Sequence, residues 1–453
     1  MINYSIIQKS QLEGGLRLDA EYYQPEYLNL ISNLKSQKSK FLKELADKVF
    51  SGPFGSTLKS ESYQMYGIPF IRIGDISDVF IERENLVYIS EAEHKRIFST
   101  HLNPGDIVFS KIGTIGRLSV ISEDLGQVNI SENNIGIRLS KLSPQAKAGL
   151  LFFLLSKYGQ LQILRSASGN IQQKLNVSDI ESVKVPILST QFQKELWELY
   201  KKIMQLRKQS ESLYSQAEDL LLEELGLKNF EVEEDLSYIV NLSEIKSSHR
   251  ADAEYFQPKY NKLVEKLKKH NAKLLKGLVG RVKAKTRAKS EKVYKYIEIS
   301  DISIGSGDVG FNEIIGKELP ANARIPIKGG ELLVSKVRPT RGAIAIVPNN
   351  FDNNFICSGA FSVFSAPEIM KEYLFIVLRS IVGKLQFEKP TTGTSYPTII
   401  DEDVENLIIP VLPRSTQQKI ADLVQKSHEA RLKAKQLLEE TKNKVENLIE
   451  IKS

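Results

Sequence analysis

Residues 17–27 read RLDAEYYQPEY, and residues 250–260 read RADAEYFQPKY. The match does not stop there. FIRIGDIS (70–77) returns as YIEISDIS (296–303), and NPGDIVFSKIGTIGRLSVI (103–121) returns as KGGELLVSKVRPTRGAIAIV (328–347) with one residue inserted. VSDIESVKVPILSTQFQKEL (177–196) returns as DEDVENLIIPVLPRSTQQKI (401–420), so the order of the copied segments is kept. Such a chain is two copies of one unit, each followed by one connecting element. The period is far longer than the roughly 20–50 residues of a solenoid repeat. A length of 453 residues also exceeds what one core ordinarily serves. The copies agree in their strand-like cores and disagree at 51–66 and 281–295. Divergent loops on a shared scaffold point to changeable recognition.

Within each copy, FIRIGDIS, DIVFSKI and LLVSKV are short β-branched runs bounded by Gly, Pro and Asp, and read as strands. Residues 145–167 and 366–387 have helical spacing without an interior proline, which predicts one late helix per unit. A proline and a long polar helix then follow. In 191–226 the apolar series is Phe192, Leu196, Leu199, Ile203, Leu206, Ser210, Leu213, Ala217, Leu220. In 416–453 it is Ile420, Leu423, Ser427, Ala430, Ala434, Leu437, Thr441, Lys444 or Val445, Leu448. Steps of four and three sustained this long predict a coiled coil, each helix about 50 Å long. One long amphipathic helix lying on a globular core is the alternative. The expected class is mixed α/β (α+β), with two tandem duplicated units separated by two long antiparallel coiled-coil helices. The expected boundaries are 1–190, 191–226, 227–413 and 414–453.

Composition removes several function classes. The one cysteine, Cys357, excludes a disulfide framework or a cysteine-rich zinc site and reads as a small core residue. The longest apolar runs, such as LLFFLL (150–155), cannot span a bilayer. The N-terminus shows no signal-peptide pattern, so the expected compartment is the cytoplasm. A net charge of +7 admits a polyanionic partner without demanding one. GSGDVG (305–310) fits a dinucleotide fingerprint, but no clear helix follows it and the first copy lacks it; it reads as a glycine-rich turn. Glu93-His94-Lys95 has a nuclease-like acid-x-Lys spacing that the second copy does not repeat. The five histidines are scattered, and no P-loop or amino-methyltransferase tetrapeptide occurs. The sequence offers no catalytic set and no metal site.

Binding features are plainer. Residues 276–296 carry Lys276, Arg281, Lys283, Lys285, Arg287, Lys289, Lys292 and Lys295 against Glu291 alone. Such a run is either a solvated loop or a phosphate contact, and the second is the working expectation. The comparable stretch of the first copy, SGPFGSTLKSESYQ (51–64), offers Ser56, Thr57 and Lys59, whose small hydroxyls suit phosphates and base edges. Lys111 and Arg117 follow the central strand of the first unit; Lys336, Arg338 and Arg341 follow that of the second. SGNIQQKL (168–175) and TTGTSYPTI (391–399) occupy matching places. They add Gln172, Gln173, Lys174, Thr394 and Ser395; the glutamines could pair with adenine edges or simply end a turn. Arg72 completes the candidate set, although the second copy has Glu298 there.

GIPFIRIGDI (67–76), NPGDIVFSKIGTIGRLSVI and VPILSTQFQKEL (185–196), each repeated and each unit followed by a long helix, resemble the specificity subunit of type I restriction-modification enzymes. The resemblance covers nearly the whole chain. It implies that each unit is a target recognition domain for one half of a split sequence in double-stranded DNA. It also implies that the two helices set the spacer and dock two methyltransferase subunits, with motor-nuclease subunits joining that core. S-adenosylmethionine, ATP and Mg would then sit on the partners, with no cofactor on this chain, which would not be an enzyme by itself. The competing expectations are a non-specific coiled-coil DNA tether and a self-contained DNA methyltransferase or nuclease.

Overall fold

The computed structural model describes residues 5–9, 12, 18–35, 37–167, 173–230, 235–286, 288–352, 354–366, 368–393 and 396–451. The chain divides into two compact units, Met1–Leu206 with Leu432–Ser453, and Arg207–Arg431. The elements that begin in the first unit are α1 (Pro25–Lys35), β1 (Ser39–Phe41), α2 (Leu42–Leu45), β2 (Lys48–Ser51), β3 (Ile68–Ile71), β4 (Val87–Ile89), α3 (Glu91–Arg96), β5 (His101–Leu102), β6 (Ile107–Ser110), β7 (Leu118–Val120), β8 (Val128–Ile130), β9 (Asn134–Arg138), α4 (Pro144–Leu155), α5 (Lys157–Ser166), α6 (Val177–Glu181), β10 (Lys184–Pro186) and α7 (Thr190–Glu224). Those that begin in the second are α8 (Leu242–Ser248), α9 (Pro258–Lys268), β11 (Lys273–Leu274), β12 (Gly280–Arg281), β13 (Val293–Ile297), β14 (Asn312–Ile315), β15 (Ala323–Pro326), β16 (Leu332–Ser335), β17 (Ile344–Ile346), β18 (Phe355–Ser358), β19 (Phe361–Ser365), α10 (Lys371–Arg379), α11 (Ile381–Glu388), α12 (Asp401–Glu405), β20 (Ile408–Ile409) and α13 (Arg414–Ile451).

The duplication extends to sheet topology. The first unit has one sheet of order β2-β9-β6-β7, another of order β4-β3-β8-β5, and the ribbon β1-β10. The second repeats them as β12-β19-β16-β17, β14-β13-β18-β15 and β11-β20. Each second sheet contains one parallel pair, β3 with β8 and β13 with β18. The central strand of each unit is buried on both faces. Ile107 and Phe109 of β6 pack with α4, while Val108 packs with Ile71 and Ile130 of the other sheet. Leu332 and Val334 of β16 pack with α10, and Leu333 packs with Ile297 and Cys357. A strand buried on both sides reads as a continuous apolar run, which is why DIVFS and ELLVS do not alternate. Cys357 lies in that interior, and burial pushes its thiol up to about 12.

The late helix of each unit differs from the sequence expectation: it is two helices. Ser156 ends α4 and caps α5, its hydroxyl accepting from Gly159 N. Ser380 does the same between α10 and α11, accepting from Val382 N. A serine that can bond a backbone N–H competes with helix continuation. Gly159 and Gly383 then permit the close turn, since a Cβ there would lie 2.4 Å from Phe153 O and 2.0 Å from Leu378 O.

The repeated AEYYQP and AEYFQP elements bolt the start of each unit to the second of these helices. Arg165 of α5 donates to Tyr22 O at 2.7 Å and lies 3.7 Å from the Tyr22 ring centroid. In the other unit Lys389, just after α11, lies 5.0 Å from the Tyr255 ring, and Lys259 pairs with Glu388 at 2.8 Å.

The long helices α7 and α13 pack against each other antiparallel. In the first unit Lys444 pairs with Glu195; in the second the Ser427 hydroxyl meets Ser210 at 3.0 Å. Along α7 the buried positions Leu196, Ile203, Ser210 and Ala217 recur every seven residues. Along α13 the buried ladder is Ile420, Val424, Ser427, Ala434, Leu438, Thr441, Val445 and Ile449. This corrects the series read from sequence, in which Leu423, Leu437 and Leu448 held the seam. Each is half-buried and still packs against a core, but its C-terminal neighbour is buried more deeply, because α13 faces the apolar core of each unit as well as α7. Among the described residues no helix is long and apolar enough to cross a membrane.

Candidate nucleic-acid interface

Several of the sequence candidates gather where the central strand of each unit ends. In the first unit β6 stops at Ser110, and Lys111 turns back beside β2. Lys111 N donates to Asn133 O at 2.9 Å, and Lys111 O accepts from Leu175 N at 2.9 Å. A bridge between Ile112 and Lys174 brings the end of the 168–175 loop to the same place. The Lys111 ammonium donates to Ser51 Oγ at 2.8 Å and to Glu132 O at 3.5 Å. Burial, then the neighbouring charge of Lys174, hold its pKa below the ordinary lysine value, while Glu132 acts the other way. Gln173, Lys174 and Arg117 are exposed around it.

Ser51 opens the divergent segment. Gly52 is required there, since a Cβ would lie 2.0 Å from Ser131 O. Ser56 and Lys59 are exposed and Thr57 is half-buried. The same segment holds out Phe54, Met65 and Tyr66, 84%, 90% and 78% exposed. These apolar groups were missed in the sequence reading, although an aromatic amid Gly and Ser in a divergent loop was the available signal. Arg72 does not join the cluster. Its guanidinium pairs with Asp75 at 3.4 Å, donates to Asn85 O and lies 5.9 Å from the Tyr63 ring.

The second unit repeats the backbone of this site with different side chains. Lys336 N donates to Ala360 O at 2.8 Å, and Lys336 O accepts from Ile399 N at 3.0 Å. The Lys336 ammonium, however, pairs with Asp401 at 2.9 Å. Asp401 also accepts from Ser362 Oγ at 2.6 Å and pairs with Arg281 at 2.5 Å, and Arg281 reaches Glu405 at 2.7 Å. Burial raises the Asp401 pKa, but the Ser362 and Lys336 hydrogen bonds and the two cations outweigh it, and the net shift is downward. Arg338 takes a left-handed backbone, φ 46°, and its guanidinium lies 5.1 Å from the ring of Tyr396, which is exposed. Arg341 is exposed. Lys283, Lys285 and Lys289 are exposed on the basic segment, and Lys283 and Lys285 line a cavity of about 330 Å³ floored by Phe361 and Val363. Gln172, Arg287, Thr394 and Ser395 lie outside the described residues.

The glycine-rich loop 305–310 is a turn that anchors helices. Its Gly305 carbonyl accepts from Arg379 at 2.8 Å, and its Ser306 carbonyl from Arg431 at 2.9 Å.

Two β-α units with matching frameworks, unlike basic loops and a paired-helix connection agree with a family model. Residues 35–213 and 275–446 match the type I restriction modification DNA specificity domain, one copy per unit. This chain belongs to that family. It is 32% identical over 134 residues to the type I restriction enzyme HindI specificity subunit of Haemophilus influenzae, covering 27% of this chain and 29% of that relative. It is 26% identical over 159 residues to the EcoBI specificity subunit of Escherichia coli, covering 34% and 32%. The chain thus matches about three tenths of the length of these curated relatives. The crystal structure of the type I restriction-modification system S subunit from M. genitalium aligns over 91% of this chain and 94% of its own, at 14% identity and a TM-score of 0.39.

Proposed function

We propose that this specificity-family chain chooses the DNA sequence on which a type I restriction-modification complex acts. Each unit reads one half of a bipartite target in double-stranded DNA. The α7–α13 pair sets the spacer and docks two methyltransferase subunits, and motor-nuclease subunits join that assembly. This chain supplies sequence choice; S-adenosylmethionine, ATP and Mg serve the partners. The observation that carries this reading is the duplication itself. Two units share topology down to single hydrogen bonds, yet carry different cations and apolar groups on the loops at one end of their central strands. Equal frameworks with unequal loops suit two half-sites of different sequence, read from base edges after phosphate contacts have positioned each unit.

The test is an exchange of residues 41–185 for the corresponding unit of a relative, followed by mapping of the methylated motif in the host. One half of the motif should change and the other stay. Two changed halves, or none, would overturn the two-reader assignment. Binding equally well to random duplexes at raised salt would favour a non-specific tether, and methylation or cleavage by the purified chain alone would favour a self-contained enzyme.

A further inference from the structure

Lys111 and Lys336 hold the same place at the end of their units' central strands, and their backbones make the same two hydrogen bonds. Their side chains do not do the same thing. Lys336 is fixed by Asp401, which also holds Arg281 and Ser362. Strand pairing and sequence alignment place Val49, Ile135 and Val177 of the first unit at the positions of Arg281, Ser362 and Asp401. Val49 and Ile135 belong to the apolar core of the first unit, and the half-buried Val177 packs against it. The charged cluster of one copy is therefore an apolar cluster in the other, and the lysine it would have consumed is released. Lys111 instead lies toward Ser51, with the Lys174 charge as a neighbour. The Glu132 carboxylate lies against Gly55, and among the described residues no carboxylate forms an ion pair with Lys111.

We propose that Lys111 and Lys174 together grip one backbone phosphate of the DNA half-site read by the first unit, whereas Lys336 is a positioning residue that meets no phosphate. This rests on the sequence-choosing function proposed above. Two ammonium groups and a hydroxyl, with no ion pair to an acid among the described residues and only the more distant charge of Glu132 in opposition, form a cradle for a phosphate oxygen pair. Bringing two cations together is unfavourable without an anion, and the DNA supplies it. In the second unit Asp401 already fills that electrostatic role, so an approaching phosphate would meet a carboxylate.

The experiment measures how affinity depends on salt for the full-length chain and a duplex it selects from a random pool. Each phosphate contact contributes about 0.9 to the slope of log affinity against log salt. Lys111→Met should flatten the slope by about that amount, and Lys336→Met should leave it unchanged while lowering the thermal stability of its unit. Adding Asp401→Val to Lys336→Met should restore part of that stability, as the first unit's own apolar solution suggests. A methylphosphonate scan of the duplex tests the contact on unaltered protein. One neutralised phosphate should reproduce the Lys111→Met effect and add nothing to it. If Lys111 took free inorganic phosphate instead, phosphate without DNA would raise the melting temperature of the wild type but not of Lys111→Met, and the slope would not move; that result overturns the proposal. An unchanged slope for Lys111→Met, or a flattened one for Lys336→Met, overturns it as well. If no duplex is selected at all, the sequence-choosing function itself falls; if one is selected and the slopes disagree, only this inference does.

Discussion

Ser427 donates its hydroxyl to the main-chain oxygen of Ser210 at 2.8 Å, and both serines are sealed from water in the seam between α7 and α13. The Ser210 hydroxyl lies 3.0 Å from that of Ser427, which Arg431 also reaches at 3.5 Å, so the two form a polar step in a ladder whose other buried members are apolar except Thr441. Slipping the helices past each other would strand both hydroxyls against apolar side chains. A buried polar pair of this kind specifies register more than it adds stability.

The corresponding prediction is a double-mutant cycle. Ser210→Ala and Ser427→Ala should each destabilise the second unit by about 1 kcal/mol, the net value of a typical buried hydrogen bond. The double variant should lose less than the sum, because either single change already breaks the hydroxyl–hydroxyl contact, while the bond from Ser427 to the Ser210 main chain is lost only with Ser427. Urea unfolding of the four proteins measures this, and strict additivity would show that the serines do not act together.

Gln162 and Gln386 make the same clamp in the two units. Gln162 accepts from Lys184 N at 2.9 Å and donates to Lys184 O at 3.1 Å; Gln386 accepts from Ile408 N at 2.7 Å and donates to Ile408 O at 2.9 Å. Each glutamine thus satisfies both main-chain groups of a residue in the closing ribbon β1-β10 or β11-β20. Gln162→Leu leaves both unpaired and should cost the first unit about 1–3 kcal/mol. Gln162→Glu keeps the acceptor and loses the donor, so it should fall between. Faster amide exchange at Lys184 in the same order is the readout.

Asp401 makes the Lys336 cluster of the second unit sensitive to acid, whereas Val177 at the matching place in the first unit carries no titrating group. Its folded pKa lies below the ordinary aspartate value of 3.8 through Ser362, Lys336 and Arg281, despite burial. A carboxylate depressed on folding binds its proton more readily in the unfolded chain, so its stabilisation is complete above 3.8 and is lost as the pH falls from there through the folded pKa. Asp401→Asn should be less stable than wild type at neutral pH, and the gap should narrow through that window. Denaturation midpoints of the two proteins across mildly to strongly acidic pH test it, and a gap independent of pH would assign Asp401 a purely neutral hydrogen-bonding role.

The sequence revealed what is periodic and what is local. The duplication, the β-branched strands and the heptads that bury Leu196, Ile203, Ser210 and Ala217 follow from spacing alone. It placed Leu437 rather than Leu438 in the α13 seam, because adjacent leucines satisfy either register and the unit's own core decides between them. It read 145–167 as one helix, because Ser156 carries no proline-like mark. Above all it gave Lys111 and Lys336 one role. Their difference depends on Arg281, Ser362 and Asp401, which are scattered over more than a hundred residues and meet only through β12, β19 and the turn into α12. No local pattern announces a partner chosen by a non-local strand pairing.

Arg338 sits at φ 46° where the first unit has Gly113 at φ 76°. A left-handed arginine is held at a cost that glycine escapes, about 1 kcal/mol. Arg338→Gly should therefore leave the second unit as stable as wild type or slightly more so, while Arg338→Ala keeps the strain without the guanidinium. Both should weaken DNA binding alike if the guanidinium makes the contact. Weaker binding by the glycine variant alone would point to the shape of the turn instead.

The basic segment gives the last prediction. Lys283, Lys285 and Lys289 are exposed, and among the described residues none of them forms an ion pair, whereas Arg281 at the start of the segment is held by Asp401 and Glu405. Exposed cations that serve no partner within the fold add only self-repulsion to it. Replacing all three by alanine should leave stability within about 0.5 kcal/mol of wild type or raise it slightly. If they face phosphates, affinity should fall for every duplex, and the salt slope should drop by up to about 2.7, or 0.9 for each contact. Preference between the selected duplex and a random one should change little, because phosphates carry no sequence. Arg281→Ala is the control within the same segment: it should destabilise the second unit by breaking its ties to Asp401 and Glu405. Fluorescence anisotropy at several salt concentrations, on the selected and a random duplex, separates these outcomes. A triple variant that binds with an unaltered slope would return the segment to a solvated loop.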